Sequence, residues 1–421
     1  NEIQYLLLRQ IVGPDGCIMV VGDDDQSIYS WRGAKSGNIK RYTKDFPKAD
    51  VIKLEQNYRS TSNILNAANA VIAKNADRLG KNLWTESGEG EPIALYAAFN
   101  EHDEARYIAD RLADWIDNGN RRDDAAILYR SNAQSRVLEA ALLQAEIPYR
   151  IYGGQRFYER LEIKNALCYL RMMLNCHDDV AFERVVNTPP RGIGDKTVEQ
   201  IRELSRANGC SLWEASATMV NEKRLTARAA NSVSGFMALI NEMSGQLDEL
   251  PLAEQAENAI QHSGLVDMHR REKGERGQAR VENLEELVSA AKTFRAEDDS
   301  LSPLQQFLDS AALDAGDSQA DPYEDSVQMM TLHSAKGLEF PLVILAGLEE
   351  NLFPHRMSVE EPGRLEEERR LAYVGITRAM HRLFISHAWS RMLFGTTQYN
   401  PPSRFLDEIP DELLDARGEG A

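Results

Sequence analysis

The sequence has no run of about 18 apolar residues, the length that a membrane-crossing helix needs. Its opening residues, Asn1-Glu2-Ile3-Gln4, lack the basic segment that begins a signal peptide. Cysteine is scarce, and Cys17, Cys168, Cys176 and Cys210 show no metal-binding spacing. These absences argue against a membrane protein, a disulfide-rich secreted protein and a zinc module. They favour reduced thiols in a cytosolic protein.

Positive charge is also in deficit. Lys and Arg number 48 against 66 Asp and Glu, which gives a net charge of −18 over 421 residues. This balance excludes a protein that coats nucleic acid through bulk charge. Contact with DNA would have to come from local basic patches, stacking aromatic rings and backbone amides. The length allows two or three domains, and 43% hydrophobic residues is ordinary for a folded protein.

Two nucleotide-binding motifs are absent from the sequence as well. No G-x-x-x-x-G-K-[ST] segment occurs, so the chain contains no phosphate-cradling loop with its lysine. No apolar strand ends in the Asp-Glu pair that would hold Mg²⁺.

The pattern of apolar residues alternates between strands and helices as far as Tyr152. Such alternation predicts a parallel sheet with helices on both faces. From about Leu161 to Leu313 the pattern is helical throughout, and a polar linker, Asp314–Asp325, follows before strands resume. The predicted strands are Cys17–Val21, Val51–Leu54, Ile93–Ala97, Ala125–Tyr129, Tyr149–Tyr152, Val327–Leu332, Leu342–Ala346 and Leu383–His387. We therefore predict an α/β fold with a large all-helical insertion.

The stretch Val20–Ala34 contains a predicted strand end followed by three carboxylates, Gln26, Tyr29, Trp31 and Arg32. Chemistry in open α/β sheets sits at the carboxyl ends of strands. There an amide can hold a terminal phosphate or a water, and a Trp beside an Arg suits stacking on a nucleobase. The alternative is an acidic turn with a core Trp.

Two arginines lie in positions where a phosphate could be their partner. Arg59 follows the predicted strand Val51–Leu54, and a surface salt bridge is its alternative role. Arg378 shares the apolar face of a helix with Leu371 and Val374, and an unpaired buried charge is costly. Periodicity leaves open whether its anionic partner is a protein carboxylate or a nucleotide phosphate.

The segment Thr331–Phe340 follows a predicted strand, and its hydroxyls and the amides of a short helix start could grip a phosphate. Glu339 could accept a hydrogen bond from a sugar hydroxyl, whereas a histidine such as His333 is more often structural. The acidic and basic run Glu366–Arg370 is typical of a solvated, salt-bridged helix face.

A glycine-rich turn in the helical region offers backbone amides to a ligand. Gly192-Ile193-Gly194 precedes a predicted helix, and Arg191 and Lys196 add positive charge beside it. This arrangement suits a phosphate of duplex DNA. The alternative is a tight helix–helix turn that uses glycine for positive φ.

Together these stretches resemble the UvrD/Rep/PcrA family of superfamily 1 DNA helicases, and its UvrD-type members most closely. The matching stretches are Val21–Ala34, Leu54–Ser62, Tyr152–Lys164, Thr188–Gly194, Thr331–Phe340 and Glu366–Ala379. The resemblance implies RecA-like motor domains of the P-loop NTPase type, with ATP between them. It also implies 3′-to-5′ movement on single-stranded DNA, unwinding of duplex, and a role in DNA repair or replication.

The resemblance implies specific roles at the nucleotide. Gln26 would sense the γ-phosphate, Arg59 and Arg378 would be arginine fingers, Tyr58 would pack on adenine and Glu339 would bind the ribose side. The residues that it assigns to DNA are Tyr29, Trp31, Arg32, Arg191, Gly192, Ile193, Gly194, Lys196, Thr331, His333 and Phe394. Phe394 would stand at the tip of a strand-separating hairpin, where the family often has Tyr.

The resemblance also divides the chain. Residues 1–54 would be the end of a first motor domain, 55–151 plus 325–421 a complete second motor domain, and 152–324 a duplex-binding helical insertion. Because a family member would have its phosphate loop and Mg²⁺ ligands before Asn1, the chain is expected to be truncated. We expect this polypeptide alone to be inactive, although ATP and Mg²⁺ are the family's cofactors.

The implied partners are single-stranded DNA and the junction of single and double strands, with repair proteins and self-association left open. The implied location is the bacterial cytoplasm, at the nucleoid. A non-catalytic DNA- or partner-binding module derived from a helicase is the alternative function. Retention of Gln26, Arg59, Glu339 and Arg378 favours the helicase, since a binding module has no use for nucleotide sensors.

Overall fold

The computed structural model describes residues 2–13, 16–30, 37–76, 78–272, 274–316 and 324–418. The chain divides into two compact units. The first unit comprises residues 1–154, 319–391 and 398–421, and the second comprises 155–318 and 392–397. Within the described ranges, no helix is both long enough and apolar enough to cross a membrane.

The first unit is built on a parallel sheet. The strands of the sheet are β1 (Ile93–Asn100), β2 (Ala125–Tyr129), β3 (Tyr149–Ile151), β4 (Val327–Thr331), β5 (Phe340–Leu345), β6 (Ala379–Leu393), β7 (Thr396–Gln398) and β8 (Leu414–Gly418). Residues 392–397, at the end of β6 and the start of β7, belong to the second unit. The order across the sheet is β3-β4-β2-β5-β6-β1-β8, and β7 pairs with β6. The helices of this unit are α1 (Glu2–Val12), α2 (Gly37–Asp45), α3 (Ser62–Ile72), α4 (Glu101–Asp117), α5 (Ser135–Gln144), α15 (Arg356–Glu360) and α16 (Arg364–Ile376).

Helices cover both faces of the sheet because each central strand is apolar on both sides. In β5, Val343 and Leu345 pack in one cluster with α3 and α16. Leu342 and Ile344 point the other way, into a cluster with α4 and α5. This two-residue alternation is what a pleated strand buried on both faces requires.

The second unit is helical. Its helices are α6 (Leu161–Leu174), α7 (Asp179–Val185), α8 (Asp195–Asn208), α9 (Leu212–Asn221), α10 (Ala227–Ser244), α11 (Leu252–His262), α12 (Leu265–Arg270), α13 (Glu275–Thr293) and α14 (Pro303–Gly316). They enclose one apolar core that includes Tyr169, Phe182, Phe236 and Leu284. The predicted α/β class with a large helical insertion is confirmed.

Two predicted strands are wrong. Residues 16–23 and 51–55 form no strand, and Met19, Val21 and Ile52 are more than four-fifths exposed. A parallel strand needs a neighbour for its hydrogen bonds and a packed layer for its side chains. In the described part of the chain these two segments have neither, so an apolar run alone does not make them strands.

The hairpin predicted around Phe394-Gly395 is present between β6 and β7. Phe394 and Gly395 both have positive φ, 55° and 69°. A two-residue turn of this kind matches the twist of the flanking strands.

A buried ionic cluster supports the carboxyl ends of the central strands. Arg391 of β6 pairs with Glu104 of α4 and with Glu349, and all three are buried. Glu104 also accepts a hydrogen bond from Gly347 N at 2.9 Å. Burial acts to lower the pKa of Arg391, but the two carboxylates outweigh it and raise that pKa. Burial raises the pKa of Glu349 despite the nearby guanidinium.

Replacing Arg391 by Met would leave two buried carboxylates without a cation. We expect Arg391→Met to lower the free energy of unfolding by about 3–5 kcal/mol at pH 7. The carboxyls would then have folded-state pKa values above their unfolded ones. The folded chain would bind more protons, so the loss should shrink as the pH falls towards 5. Urea unfolding at several pH values measures this effect.

Arg404→Met is the control, because Arg404 pairs with Glu350 at 2.7 Å but is 39% exposed. A surface pair of this kind contributes about 0–1 kcal/mol. Equal losses in the two variants would contradict the central role of the buried cluster.

Candidate functional site

Three of the predicted site residues meet at the edge of the sheet in the first unit. Glu339 immediately precedes β5, and Arg378 lies between the end of α16 and the start of β6. Arg59 pairs with Glu339 and donates from Nη1 to Thr377 O at 3.2 Å. The cluster therefore lies at the amino ends of β5 and β6, not at the carboxyl ends where we expected the chemistry. The connection from α16 into β6, which carries Arg378, decides this position.

The loop that carries Arg59 is tied to the start of β6. Asn57 Oδ1 accepts hydrogen bonds from Arg59 N at 2.9 Å and Ser60 N at 2.8 Å. Ser60 Oγ donates to Ala379 O at 2.6 Å. The side chain of Thr61, at the N-cap of α3, makes no capping hydrogen bond. The bond from Ser60 to Ala379 holds Arg59 beside Arg378.

Arg378 is 1% exposed. Its guanidinium donates to Val374 O at 3.0 Å, Leu338 O at 3.1 Å and Thr377 Oγ1 at 3.1 Å. No carboxylate of the described residues lies within ion-pair distance of it. Burial, with repulsion from Arg59 added, lowers the pKa of Arg378 to about 10. The sequence left open whether the partner of Arg378 is a protein carboxylate or a nucleotide phosphate. Among the described residues, no protein carboxylate is its partner.

Two side chains next to these arginines, in sequence or in space, are accessible to solvent. Tyr58 is 82% exposed, and the side chain of Glu339 is 51% exposed. Arg59 thus binds an accessible carboxylate, its guanidinium lies near the buried one of Arg378, and an accessible aromatic ring precedes it in the sequence. Such a group can bind an anion with charge-assisted hydrogen bonds and can stack on a planar ring.

The acidic loop that follows residue 22 is held by cations of the same unit. Asp25 is buried and pairs with Arg78 through two hydrogen bonds of 2.8 and 2.7 Å. Asp23 pairs with Lys81 and accepts from Gln26 Nε2 at 2.7 Å. The carboxylates of residues 23–25 lie within 4.8 Å of one another. Arg78 and Lys81 thus neutralise two of the three carboxylates, and Asp24 accepts a hydrogen bond from Leu79 N at 2.8 Å, so the triplet does not fit a Mg²⁺ site.

This loop also contacts the segment after β4. Tyr29 Oη donates to His333 O at 3.0 Å, and Lys336 Nζ donates to Gln26 O at 2.7 Å. Lys336 Nζ lies 5.3 Å from the centre of the Tyr29 ring. Thr331 Oγ1 lies 3.1 Å from Ser334 Oγ. Residues 332–337 form turns, so the short helix start that we predicted here is wrong.

Lys336 is a residue that our sequence analysis did not single out. It joins the backbone of Gln26 to the ring of Tyr29, and burial lowers its pKa. Its place within the matched stretch Thr331–Phe340 was the available signal.

The charged run of α16 is not the solvated face that we predicted. Glu368 and Arg369 are buried, and they pair with Arg130 and Glu408 respectively, each at 2.8 Å. Arg370 Nε donates to Ser27 O at 2.8 Å. Charges on a helix can thus serve as internal ties when partners from other elements reach them. Trp31 and Arg32 lie outside the described residues.

The glycine turn of the second unit is rigidly supported. Asn187 Oδ1 accepts from Arg191 N at 2.7 Å and Ile193 N at 3.2 Å, and Ile193 is buried. Gly192 has φ +82°, and no atom lies within 4 Å of the Cβ position of Gly194. The turn is therefore both a left-handed junction and an open backbone surface, so the two interpretations of it do not exclude each other.

The side chain of Arg191 points inward instead of adding charge to the surface. Its guanidinium donates to Pro189 O at 3.0 Å and Ser263 O at 2.6 Å. It also lies 5.7 Å from the centres of the Tyr169 and Phe236 rings. In this conformation Arg191 supports the turn from within. Lys196 in the first turn of α8 is exposed.

Phe394 is 43% exposed at the tip of the β6–β7 hairpin. The next residue fixes the tip, because Gly395 N donates to Ser289 Oγ of α13 at 3.0 Å. The structure thus presents an accessible aromatic ring on a supported turn.

The structure is a parallel α/β protein whose sheet is covered by helices on both faces, with two neighbouring guanidiniums at the amino ends of β5 and β6. The family model of the UvrD-like helicase C-terminal domain matches residues 52–390, and that of the UvrD/REP helicase N-terminal domain matches residues 1–47. The chain therefore belongs to the UvrD-like helicase family.

Individual relatives agree with this assignment. The chain is 57% identical over 417 residues to DNA helicase II of Escherichia coli, covering 99% of this chain and 58% of that protein. It is 45% identical over 426 residues to the ATP-dependent DNA helicase PcrA of Bacillus subtilis, covering 100% and 57%. It thus spans less than three-fifths of the length of these relatives. A solved C-terminal domain of a possible DNA helicase from Lactobacillus plantarum matches 85% of this chain and 98% of that one. Its identity is 12% and its TM-score is 0.34.

The buried charge of Arg378 should oppose folding at neutral pH. Since its pKa is below the ordinary value, the unfolded chain binds more protons above about pH 10, and stability rises with pH there. We expect Arg378→Met to change the free energy of unfolding by less than about 1 kcal/mol at pH 7. Arg369→Met would leave the partly buried carboxylate of Glu408 without its cation, and it should lower the free energy of unfolding by about 3–5 kcal/mol. Equal losses in urea unfolding would mean that the chain itself compensates the charge of Arg378.

Proposed function

We propose that this chain supplies the nucleotide-sensing and DNA-contacting machinery of an ATP-dependent DNA helicase that moves 3′ to 5′ on single-stranded DNA. The main support is Arg378, a buried guanidinium beside Arg59 with no carboxylate of the described residues as its partner. A cation that is costly to bury is well explained if its partner is the phosphate of a bound nucleotide. Membership of the UvrD-like helicase family supports the same proposal.

ATP, when bound, would supply the phosphoryl group whose hydrolysis drives movement. Arg378 and Arg59 would neutralise charge at the γ-phosphate, which is the role of arginine fingers in phosphoryl transfer. Tyr58 would pack on the adenine, and Glu339 would exchange its bond to Arg59 for one to the ribose. We assign no Mg²⁺ ligand, because Asp25 and Asp23 are engaged by Arg78 and Lys81, and Asp24 by the backbone N–H of Leu79.

Coupling to DNA would run through the loop around Gln26. Gln26, as the γ-phosphate sensor, is three residues from Tyr29, and Lys336 contacts both. Tyr29 and Trp31 would meet the bases of the single strand, with Arg32 in the same loop, while Thr331 and His333 would meet its backbone. A change at the nucleotide would thereby be transmitted to the DNA strand over a short distance.

The second unit would bind duplex DNA, and the hairpin would separate its strands. The open backbone at Gly192 and Gly194, with Lys196 beside it, suits a duplex phosphate. Ile193 would anchor this turn, and Arg191 would brace it. Phe394 would stack on the first base pair at the junction of single and double strands.

The division into a first motor segment (1–54), a second motor domain (55–151 plus 325–421) and a duplex-binding insertion (152–324) remains part of this proposal. So do a role in repair or replication, a location at the bacterial nucleoid, and contacts with repair proteins or with a second copy. These points rest on the family resemblance alone.

A non-catalytic role for this polypeptide is favoured by one observation: its sequence contains no G-x-x-x-x-G-K-[ST] segment. We expect the isolated 421-residue chain to show no ATP turnover above background, with or without single-stranded DNA, because no loop cradles the phosphates. A coupled phosphate-release assay measures this, with E. coli DNA helicase II as the positive control. Turnover that Arg378→Met abolishes would show that the chain is a complete ATPase.

Duplex binding by the glycine turn can be measured separately. Lys196→Ala should weaken binding to a duplex oligonucleotide and reduce the salt slope of log K by about 0.9, the value for one phosphate contact. Arg206→Ala is the matched control, because Arg206 is an exposed cation further along the same helix. The two variants should have the same thermal stability. Identical DNA affinities for both would contradict the assignment of the turn to duplex DNA.

A further inference from the structure

The first unit contains a cavity of about 350 Å³ that the proposed helicase function does not use. It lies against the carboxyl-terminal half of α4 and the first residues of β1, β5, β6 and β8, and we call it the α4 pocket. Its lining includes Leu342 and Phe384, which pack on the sheet face that α4 covers. The cluster of α16 is on the other face. The α4 pocket therefore shares no residue with the site of Arg59, Glu339 and Arg378.

Two guanidiniums in the α4 pocket lack full partners. Arg382 has one ionic neighbour among the described residues, Glu91 at 3.9 Å, and its side chain is 45% exposed. Arg111 pairs with Asp114 at 2.9 Å through Nη1, but its Nε is buried and has no acceptor in the described part of the chain. A buried donor without an acceptor is unfavourable, because it has lost its hydrogen bonds to water. Both groups would gain from an anionic ligand.

Other arginines of the same unit show what full pairing looks like. Arg369 and Arg404 each hold a carboxylate through both Nε and Nη2. The third guanidinium of the α4 pocket, Arg417, is held in this way by Asp415 of its own strand. Arg382 is thus the available cation of the pocket.

The remaining lining suits a flat, hydrogen-bonding ring. Trp115 and Phe384 provide aromatic surface, and the indole of Trp115 is fixed by its bond to Arg121 O at 3.0 Å. The amide nitrogens of Asn118 and Asn120 donate to backbone carbonyls at 2.7 and 2.9 Å. Their Oδ1 atoms accept no hydrogen bond from the residues that the structure describes, so they can accept from an amino group.

An aromatic surface, amide acceptors and an under-paired guanidinium together match an amino-substituted heterocycle that carries a phosphate. We propose that the α4 pocket binds a nucleotide, with its base beside Trp115 and Phe384 and its phosphate on Arg382 and Arg111. The volume is near the lower limit of about 300 Å³ for ligand sites, which suits one nucleotide and no larger molecule. Glu91, Asp114 and Asp415 balance the three arginines, so a single phosphate is better accommodated than a triphosphate.

The test is calorimetric titration of AMP into the 421-residue chain. AMP should bind at least tenfold more tightly than adenosine or inorganic phosphate, because both halves of the pocket must be occupied. Arg382→Gln should weaken AMP binding at least tenfold. Arg404→Gln, which removes a guanidinium outside the pocket, should leave binding unchanged. No AMP binding at millimolar concentration, or equal binding by Arg382→Gln and the wild type, would overturn the proposal.

A further variant separates this pocket from the proposed helicase site. A loss of AMP binding in Arg378→Gln with retention in Arg382→Gln would place the ligand at Arg378 and overturn the α4 assignment. A single-stranded oligonucleotide with a 5′-phosphate identifies the source of the ligand. Competition with AMP would indicate the end of a nucleic acid strand, and its absence would indicate a free nucleotide. Both results uphold a nucleotide pocket.

Discussion

The buried guanidinium of Arg378 has no carboxylate of the described residues within ion-pair distance. This is the constraint on which the candidate site depends. Arg378 reaches its position because α16 ends directly before β6, at the amino edge of the sheet. Carbonyl groups and one hydroxyl hold it in place, but they do not neutralise it. The packed helices and sheet therefore support a charge that no carboxylate of the described residues compensates.

The contrast with Arg391 shows how the same fold treats charges for different purposes. Arg391 is surrounded by Glu104 and Glu349, and removing it would leave two buried carboxylates. The charge of Arg391 therefore stabilises the sheet. Arg378 has a second arginine as its neighbour, which is unfavourable for stability and would favour the phosphate proposed above. Sites adapted to a ligand commonly hold such unfavourable arrangements.

The loop of residues 23–30 illustrates how polar contacts replace a sheet. Cys17–Val21 forms no strand, yet Ile28 is fully buried and Asp25 is clamped by Arg78. Lys336 and Arg370 add bonds to the backbone of the loop. These ties bring Gln26 and Tyr29 close to the segment after β4, which joins the two halves of the proposed coupling path.

The sequence by itself determined the elements whose signals are local. The strand Ala125–Tyr129 has the predicted bounds, because a continuous apolar run is set within the segment itself. It also determined which residues could carry the chemistry, since side-chain type and spacing within a motif are properties of the chain alone. The family resemblance rests on the same information.

Only the tertiary structure decided the partners. In the tertiary structure, Cys17–Val21 and Val51–Leu54 have no neighbouring strands among the described residues. The side chain of Arg191 points inward in the second unit. Arg378 has no carboxylate of the described residues within ion-pair distance. Glu368 and Arg369 are buried in the tertiary structure. Pairing and burial depend on groups distant in sequence, so a charge or an apolar run does not specify by itself what it will meet.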